Sequence, residues 1–280
     1  MAIITFWSQK EKETSQTYSI SAVSTYLSIE HNYRTLLLST AFNDKSLEGC
    51  FWDLGKNNNN LFKQFKTPQN VALDSGIDGL VKNFSSNRNS PEMIQDYTRL
   101  VFKDRLEVLF SSNTQDKEEY DKIKSFYPEV VLSANKNYNL IFIDLNKTLD
   151  APISRRILEI SDLIVVNITQ SLRVIEDFIE LRNQNPMFKG NNILLLIGRY
   201  DKYSKYNMKN ISRYISEKNN IFSSPYNTLF FEACSEGKIA DYFLKFRKLD
   251  QTDRNAVFIN EIKKMSDGII YKAQELQMKI

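Results

Sequence analysis

The chain begins Met1-Ala2-Ile3-Ile4-Thr5-Phe6-Trp7, and this stretch decides the fold together with the two segments that follow it. Ala2 to Trp7 is an apolar run typical of a buried strand, Ser8 to Thr17 is a polar turn, and Tyr18 to Ile29 favours a helix. A helix that starts directly after such a turn directs backbone N–H groups at one point, where phosphate binds well. The turn contains no glycine, so the layout of a phosphate-binding unit is present without its usual residues.

Composition excludes several classes of protein. The 280 residues, with 42% hydrophobic and 25% charged residues, suit one large α/β domain or a domain with an appendage. A net charge of +3 is too small to argue for nucleic-acid binding. The two cysteines, Cys50 and Cys234, are far apart in sequence, which excludes a cysteine-based zinc cluster and a disulfide scaffold. The single histidine, His31, argues against a histidine-based metal site or a Ser-His-Asp triad.

The distribution of apolar residues predicts a cytoplasmic protein. No apolar run approaches the roughly 20 residues that a transmembrane helix needs. Charged residues follow the first strand within the turn, so the start does not resemble a signal peptide.

Short apolar runs recur along the chain and are nearly continuous, as expected for parallel strands covered on both faces. The predicted strands are Ile3 to Trp7, Thr35 to Ser39, Leu106 to Phe110, Leu140 to Asp144, Leu163 to Ile168, Ile193 to Ile197 and, more weakly, Thr228 to Phe231. The clearest helical patterns between them are Ala151 to Ser161, Ser171 to Asn183 and Met208 to Lys218. Strands that alternate with helices predict an α/β fold, a doubly wound, mostly parallel sheet flanked by helices.

We predict one α/β domain over residues 1–250, with an elaborated region at 56–136, and a terminal helical segment at 251–280. The polar run Lys56 to Asn60 indicates a linker or an exposed loop. The terminal segment carries an apolar stripe at spacings of three and four, from Phe258 to Ile280. Packing on the protein's own body is the first interpretation of this stripe, a dimer or partner contact the second, and a membrane-surface helix the third.

Three later segments end or follow strands with polar residues. They are Tyr138 to Asp150, which contains Asp144; Leu195-Leu196-Ile197-Gly198-Arg199-Tyr200-Asp201; and Ser224 to Gly237, which contains Pro225. Together with the turn after the first strand, these segments resemble the ParA/MinD family of deviant P-loop ATPases. Within that family the chain is most similar to the TadZ/CpaE branch, which is associated with pilus assembly. The resemblance covers most of the chain up to about Phe243, and it implies a P-loop NTPase-like fold of the ParA/MinD type.

The resemblance assigns roles to the first turn. In the family, a signature lysine, glycines, a second lysine and two hydroxyl residues bind the phosphates of ATP and magnesium. Here Lys10 lies at the signature lysine, Ser15 at the phosphate-binding lysine and Gln16 at the hydroxyl that would hold magnesium, while Thr17 keeps the last hydroxyl. Lys12 is a further cation near the phosphates, at a different spacing. Glycines matter in such a turn because they let the backbone approach the phosphates without Cβ atoms in the way.

Two carboxylates are candidates for a magnesium-linked or catalytic role. Asp144 matches the aspartate that orients magnesium through water, and the alternative is a cap at the strand end and the next helix. Asp44, after the second strand, lies near the family's switch I, and its alternative is a cap for the helix that starts near Ser46.

Three residues correspond to the base-binding side of the family's site. Arg199 and Tyr200 resemble a segment that contacts adenine, with Gly198 at the position of an asparagine. They could stack on a base or flank it, and the alternative is a surface turn with an ordinary salt bridge. Pro225 belongs to a segment that closes the nucleotide pocket.

The substitutions in the turn favour a non-catalytic or weakly nucleotide-binding protein that positions or assembles a membrane-associated machine, such as a pilus or secretion system. The resemblance implies a homodimer with protein partners, recruited to the membrane or the cell pole. Its cofactor would be none, or ATP with Mg²⁺. The alternatives are an active MinD/ParA-type ATPase with an atypical loop and a DNA-partition protein. The net charge argues against nucleic acid as a partner.

Overall fold

The computed structural model of the protein describes residues 1–9, 13–54, 76–85, 93–146, 149, 151–250, 253 and 255–278. Within them, the apolar runs of the sequence form one eight-stranded sheet. Its strands are β1 (Ala2–Trp7), β2 (Thr35–Ser39), β3 (Thr98–Phe102), β4 (Leu106–Leu109), β5 (Leu140–Leu145), β6 (Leu163–Ile168), β7 (Ile193–Tyr200) and β8 (Ile221–Pro225).

The strand order is β3-β4-β2-β5-β1-β6-β7-β8. All neighbouring strands pair in parallel except β3, which runs antiparallel to β4 at one edge. Every residue of β1, β2, β5 and β6 is buried, which explains why their sequences do not alternate between apolar and polar residues.

Helices cover both faces of the sheet and bury two apolar clusters, so the doubly wound α/β architecture predicted from the sequence is confirmed. One cluster lies under the face covered by α3 (Ile77–Ser85), α4 (Ile94–Tyr97), α5 (Lys117–Lys124), α6 (Tyr127–Ala134), α7 (Pro152–Glu159), α8 (Leu172–Gln184) and α9 (Met208–Ile215). The other lies under α1 (Gln16–Glu30), α2 (Ser46–Gly49), α10 (Thr228–Ser235), α11 (Ile239–Lys245) and α12 (Ala256–Gln277).

The prediction of a strand at Thr228 to Phe231 is wrong, because these residues begin α10. The side chain of Asn227 accepts a hydrogen bond from the backbone N–H of Phe230 at 2.9 Å and so caps a helix. The buried residues Phe230 and Cys234 are four apart, which is helical spacing that a short apolar run does not reveal. The edge strand lies just before, at Ile221–Pro225, and β3 was not predicted at all.

Two predicted regions extend beyond the described residues. Lys56 to Asn60 lies entirely outside them, and so does part of the region 56–136. The described part of that region contains α3 to α6, β3 and β4.

The terminal helix α12 buries Phe258, Ile262, Met265 and Ile269 in the cluster that it shares with α1 and α11. Gly268 lies against the ring of Phe222 on β8. Among the described helices, none combines the length and the apolarity that crossing a bilayer requires.

Candidate functional site

The candidate site lies at the carboxyl edge of the sheet, beside the central strands β1 and β5. These strands run parallel with Phe6 opposite Asp144, so the turn after β1 and the end of β5 meet at the same edge. The helix α1 begins at Gln16, directly after the turn. Open α/β sheets bind ligands outside the carboxyl ends of their strands, which makes this edge the expected place for a site.

Asp144 is completely buried and is bound by the first turn of α1. Gln16 donates from Nε2 to Oδ1 of Asp144 at 2.6 Å, and also to the backbone oxygen of Leu145 at 3.2 Å. Thr17 donates from Oγ1 to Oδ2 of Asp144 at 2.8 Å. Both oxygens of the carboxylate therefore accept hydrogen bonds from side chains of the protein itself.

Burial raises the pKa of Asp144 from 3.8 to about 6. The hydrogen bonds from Gln16 and Thr17 oppose this rise because they stabilise the ionised form, while the charges of Asp44 and Glu48 add to it. The carboxyl is thus mostly ionised at neutral pH and becomes protonated in mildly acidic solution.

The side chains around Asp144 are a poor match for a magnesium ion. Gln16 and Thr17 each direct a hydrogen of positive partial charge at one of the two carboxylate oxygens, so these donors compete with a cation or its bound water for the carboxylate. The described residues also contain no group of three or more histidine, cysteine, aspartate or glutamate side chains that could hold a metal ion. Magnesium ordinarily takes several oxygen ligands in near-octahedral geometry.

Ser15, the last residue of the turn before α1, is bound by a residue of the strand β7. Its backbone is left-handed, with φ of 56°, and its Oγ accepts a hydrogen bond from Nε of Arg199 at 2.7 Å. Arg199, near the end of β7, is also left-handed, with φ of 50°. Two non-glycine residues in this unfavourable region therefore face each other across the site, joined by one hydrogen bond.

Gly198 allows the turn to cross the end of β7. A Cβ atom at this position would lie 1.9 Å from the backbone oxygen of Thr14 and 2.9 Å from its carbonyl carbon. Any larger residue, the family's asparagine included, would collide with the main chain of the turn. Glycine is therefore required at position 198 for space, and the path of the turn leaves no room there for the amide side chain of an asparagine.

Tyr200 and Pro225 lie next to each other, and within the described residues no hydrogen bond joins either of them to the turn after β1. They are register partners at the end of β7 and β8, after an irregularity in the pairing that begins at Gly198. The hydroxyl of Tyr200 accepts from the backbone N–H of Met208 at 3.1 Å, at the start of α9.

Three aromatic rings near this edge were not identified as a group from the sequence. Tyr226 stacks on Phe231 with ring centroids 4.9 Å apart and planes at 25°, and Tyr18 meets Phe231 edge-on, also at 4.9 Å. Tyr226 is 59% exposed. Their positions in three separate elements give no periodic signal, and only the fold assembles them.

Several buried polar atoms near the turn have no hydrogen-bond partner among the described residues. They are Oγ of Ser8, Oγ1 of Thr14, Oε1 of Gln16 and Oδ1 of Asn167. Unpaired buried polar atoms are costly, and ordered water or another polar group usually satisfies them. All four belong to neutral side chains, which ordered water can satisfy.

Asp44 lies at the start of α2, where its Oδ1 accepts from the backbone N–H of Ser46 at 2.8 Å. The neighbouring charges are structural: Glu48 is buried and accepts from the backbone N–H and the hydroxyl of Ser111, both at 2.7 Å. Lys45 donates to the backbone oxygen of Ser112 at 3.0 Å, and burial lowers the pKa of its ammonium group. The remaining candidates, Lys10 and Lys12, lie outside the described residues.

No protein-family model matches the chain, and no curated protein matches it. Solved structures do. A ParA family ATPase from Chlorobium tepidum is 16% identical, with a TM-score of 0.67 and 98% of each chain covered. The septum site-determining protein MinD of Pyrococcus horikoshii, complexed with Mg-ADP, is 16% identical, with a TM-score of 0.66 and coverage of 97% of this chain and 98% of that chain. MinD in the MinC:MinD cell division complex of Aquifex aeolicus is 14% identical, with a TM-score of 0.58 and coverage of 99% and 96%.

These likenesses extend over nearly the whole chain and agree with the strand order and the helices on both faces. At identities this low they establish the fold alone. The chain therefore has the P-loop NTPase fold of the ParA/MinD type.

Proposed function

We propose that this protein is a non-catalytic member of the ParA/MinD group, similar to its TadZ/CpaE branch, which positions or assembles a membrane-associated machine such as a pilus or secretion system. The observation that carries the proposal is that Gln16 and Thr17 donate hydrogen bonds to both carboxylate oxygens of Asp144. The carboxylate expected to serve magnesium is already used to hold the first turn of α1.

Three contacts that ATP chemistry needs are replaced. A serine bound to Arg199 takes the position of the phosphate-binding lysine, an amide takes that of the magnesium-binding hydroxyl, and the turn has no glycine. A single preorganised electrostatic contact contributes roughly 3–4 kcal/mol to a transition state. Loss of two such contacts would slow hydrolysis by about 10⁴-fold or more.

A protein partner and a homodimer form the rest of the proposal. MinD of Aquifex aeolicus, which shares this fold, forms a complex with MinC, and this supports a role exerted through a bound protein. Recruitment of the chain to the membrane or the cell pole would then depend on its partner.

ATP binding and hydrolysis by the purified protein test the non-catalytic part. We expect ATP with Mg²⁺ at millimolar concentration to leave the melting temperature unchanged relative to AMP, because a ligand stabilises only in proportion to RT ln(1 + [L]/Kd). We also expect no hydrolysis above background. Hydrolysis that is lost in Asp144→Ala and kept in the exposed matched variant Asp121→Ala would overturn this part and favour an active ATPase with an atypical loop.

A fluorescent fusion expressed in the native cell tests the positioning part. We expect fluorescence at the membrane or the pole that becomes diffuse when genes for neighbouring membrane components are deleted. Fluorescence that follows the nucleoid, together with salt-sensitive retention of the purified protein on non-specific DNA, would favour a partition role instead.

A further inference from the structure

The only two cysteines of the sequence come near each other in one buried apolar cluster of the folded chain. Cys50 directly follows α2, and Cys234 lies in α10, in the other half of the chain. Both are free thiols, buried in the same apolar cluster and at most 2% exposed. Two cysteines brought together from distant parts of a sequence form a pair that can be oxidised within one molecule.

The two thiols have different surroundings. Cys50 donates from Sγ to the backbone oxygen of Ser46 at 3.2 Å. Burial is the main cause that raises the pKa of the Cys234 thiol, and Cys50 adds to this rise. Cys50 directly follows the four-residue helix α2, so local opening of this segment uncovers its sulfur first, and we expect Cys50 to react first.

Main-chain contacts hold the two segments together independently of the sulfurs. The backbone N–H of Ile239, at the start of α11, donates to the oxygen of Cys50 at 3.1 Å. Gly237 packs on the segment after Cys50 so closely that a Cβ atom there would lie 2.3 Å from the carbonyl carbon of Trp52. The backbone therefore holds the segments that carry the two cysteines next to each other, which is the arrangement that an S–S bond of about 2.05 Å needs.

We propose that Cys50 and Cys234 are a reversible oxidation site, which forms an intramolecular disulfide with a low-molecular-weight disulfide such as oxidised glutathione as the co-reactant. The Cys50 thiol loses its proton and attacks one sulfur of the co-reactant, whose S–S bond breaks and releases one thiol. The Cys234 thiol then loses its proton and attacks the mixed disulfide at Cys50, releasing the second thiol. The protein dithiol is oxidised, and the small disulfide is reduced to two thiols. This inference does not depend on the proposed function.

Burial determines the rate of this reaction. The small disulfide reaches Cys50 only when the segment around α2 separates from α10, and α2 is a helix of four residues with little structure of its own to resist opening. Oxidation should therefore be slow in the native protein. Once formed, the disulfide should resist reduction for the same reason.

The pair lies behind the candidate site. Tyr18 packs against the apolar cluster that contains both cysteines, and its pKa is raised mainly by burial and next by Cys50 and Cys234. Tyr18 follows Thr17, which donates to Asp144. A disulfide would join the segment that contains Asp44 to α10, and it would close a loop of on the order of 10² residues, which stabilises a folded chain.

The test uses the full-length native protein incubated with oxidised glutathione, followed by trapping of free thiols, digestion without reductant and mass spectrometry. We expect a linked peptide pair containing Cys50 and Cys234, lighter by two hydrogen atoms than the sum of its reduced peptides. The oxidised protein should remain the same size in solution, melt at a higher temperature and return to its initial melting temperature with dithiothreitol. Because the unmodified chain is measured, the test does not require any variant to fold.

Two matched variants identify the order of the steps. Cys234→Ser should stop at a glutathione adduct on Cys50, and Cys50→Ser should react far more slowly. Three outcomes would overturn the proposal: glutathione adducts alone in the native wild-type protein, disulfide-linked dimers as the main product, or a linked peptide pair that forms only after the protein has been unfolded.

Discussion

Nε2 of Gln16 lies 2.6 Å from Oδ1 of Asp144, so the first helix is fastened to the fifth strand by an amide–carboxylate hydrogen bond inside the protein. The carboxylate is fully buried, and its charge is stabilised by this amide and by the hydroxyl of Thr17. Its chemistry can therefore be tested through folding as well as through ligand binding.

Protonation of Asp144 should make stability depend on pH in mildly acidic solution. Its pKa is about 6 in the folded protein against 3.8 for an ordinary aspartate. Between these values the folded chain binds more protons than the unfolded chain, so the free energy of unfolding falls as pH rises from about 4 to about 6. The asparagine in Asp144→Asn cannot ionise, so the free energy of unfolding of this variant should change less across this window. The difference from wild type should change by on the order of 2–3 kcal/mol in total.

Urea unfolding at several pH values between 4 and 8 measures this effect. The control is Asp121→Asn, which makes the same change at an exposed position. A constant difference between wild type and Asp144→Asn at every pH would contradict the prediction.

Substitution of Gly198 should destabilise the protein through a collision of main chain with side chain. In Gly198→Ala the new Cβ meets the oxygen of Thr14 at 1.9 Å, and the turn must move. Overpacking of this kind costs about 1–3 kcal/mol. Gly49→Ala is the matched control, since nothing lies within 4 Å of a Cβ there. Thermal melts compare the two variants, and equal melting temperatures would show that the turn yields easily.

Because the backbone of Ser15 is left-handed, replacing it with alanine and with glycine should affect the stability of the protein differently. Ser15→Ala and Ser15→Gly both lose the hydrogen bond from Arg199, but glycine alone is relaxed at φ of 56°. We expect Ser15→Gly to be more stable than Ser15→Ala by about 1 kcal/mol. A double-mutant cycle with Arg199→Ala should give a coupling free energy of about 1 kcal/mol. Additive effects in that cycle would mean that the hydrogen bond contributes nothing in solution.

Gly268 should be needed for the contact between α12 and β8. A Cβ atom at this position would lie 2.2 Å from the ring of Phe222, so Gly268→Ala should lower the free energy of unfolding even though alanine favours helices. The double variant Gly268→Ala/Phe222→Leu removes the ring and should recover part of the loss. Chemical denaturation measures both, and a stabilising effect of Gly268→Ala alone would show that the two elements separate readily.

The sheet was largely predictable because buried parallel strands leave continuous apolar runs, and Thr35 to Ser39 and Leu163 to Ile168 match the observed strands at both ends. The apolar run Thr228 to Phe231 was wrongly predicted as a strand for the same reason, because the start of a buried helix is equally apolar. Only the cap at Asn227 distinguishes this helix start from a strand. The strand β3 was missed because its residues are half-buried at an edge and its antiparallel pairing depends on β4.

The sequence pointed to the segments of the candidate site and not to their contacts. Asp144 was singled out by the family resemblance and the turn by its place between a strand and a helix, and the parallel pairing of β1 and β5 brings the two to one edge. The bond between Ser15 and Arg199 joins residues far apart in sequence, and no local pattern encodes it. The reason for glycine at position 198 depends on the path of Thr14, which only the folded chain reveals.

The contact between Gly198 and Thr14 also restricts how this sequence can evolve. A lysine introduced at position 15 would meet the guanidinium of Arg199, and an asparagine introduced at position 198 would strike the turn, so either change alone is penalised. The lysine would be tolerated only if Arg199 also changed, and the asparagine only if the path of the turn also changed. Conversion of this turn into a typical phosphate-binding loop would therefore need several substitutions made together, because the effect of each one depends on the others.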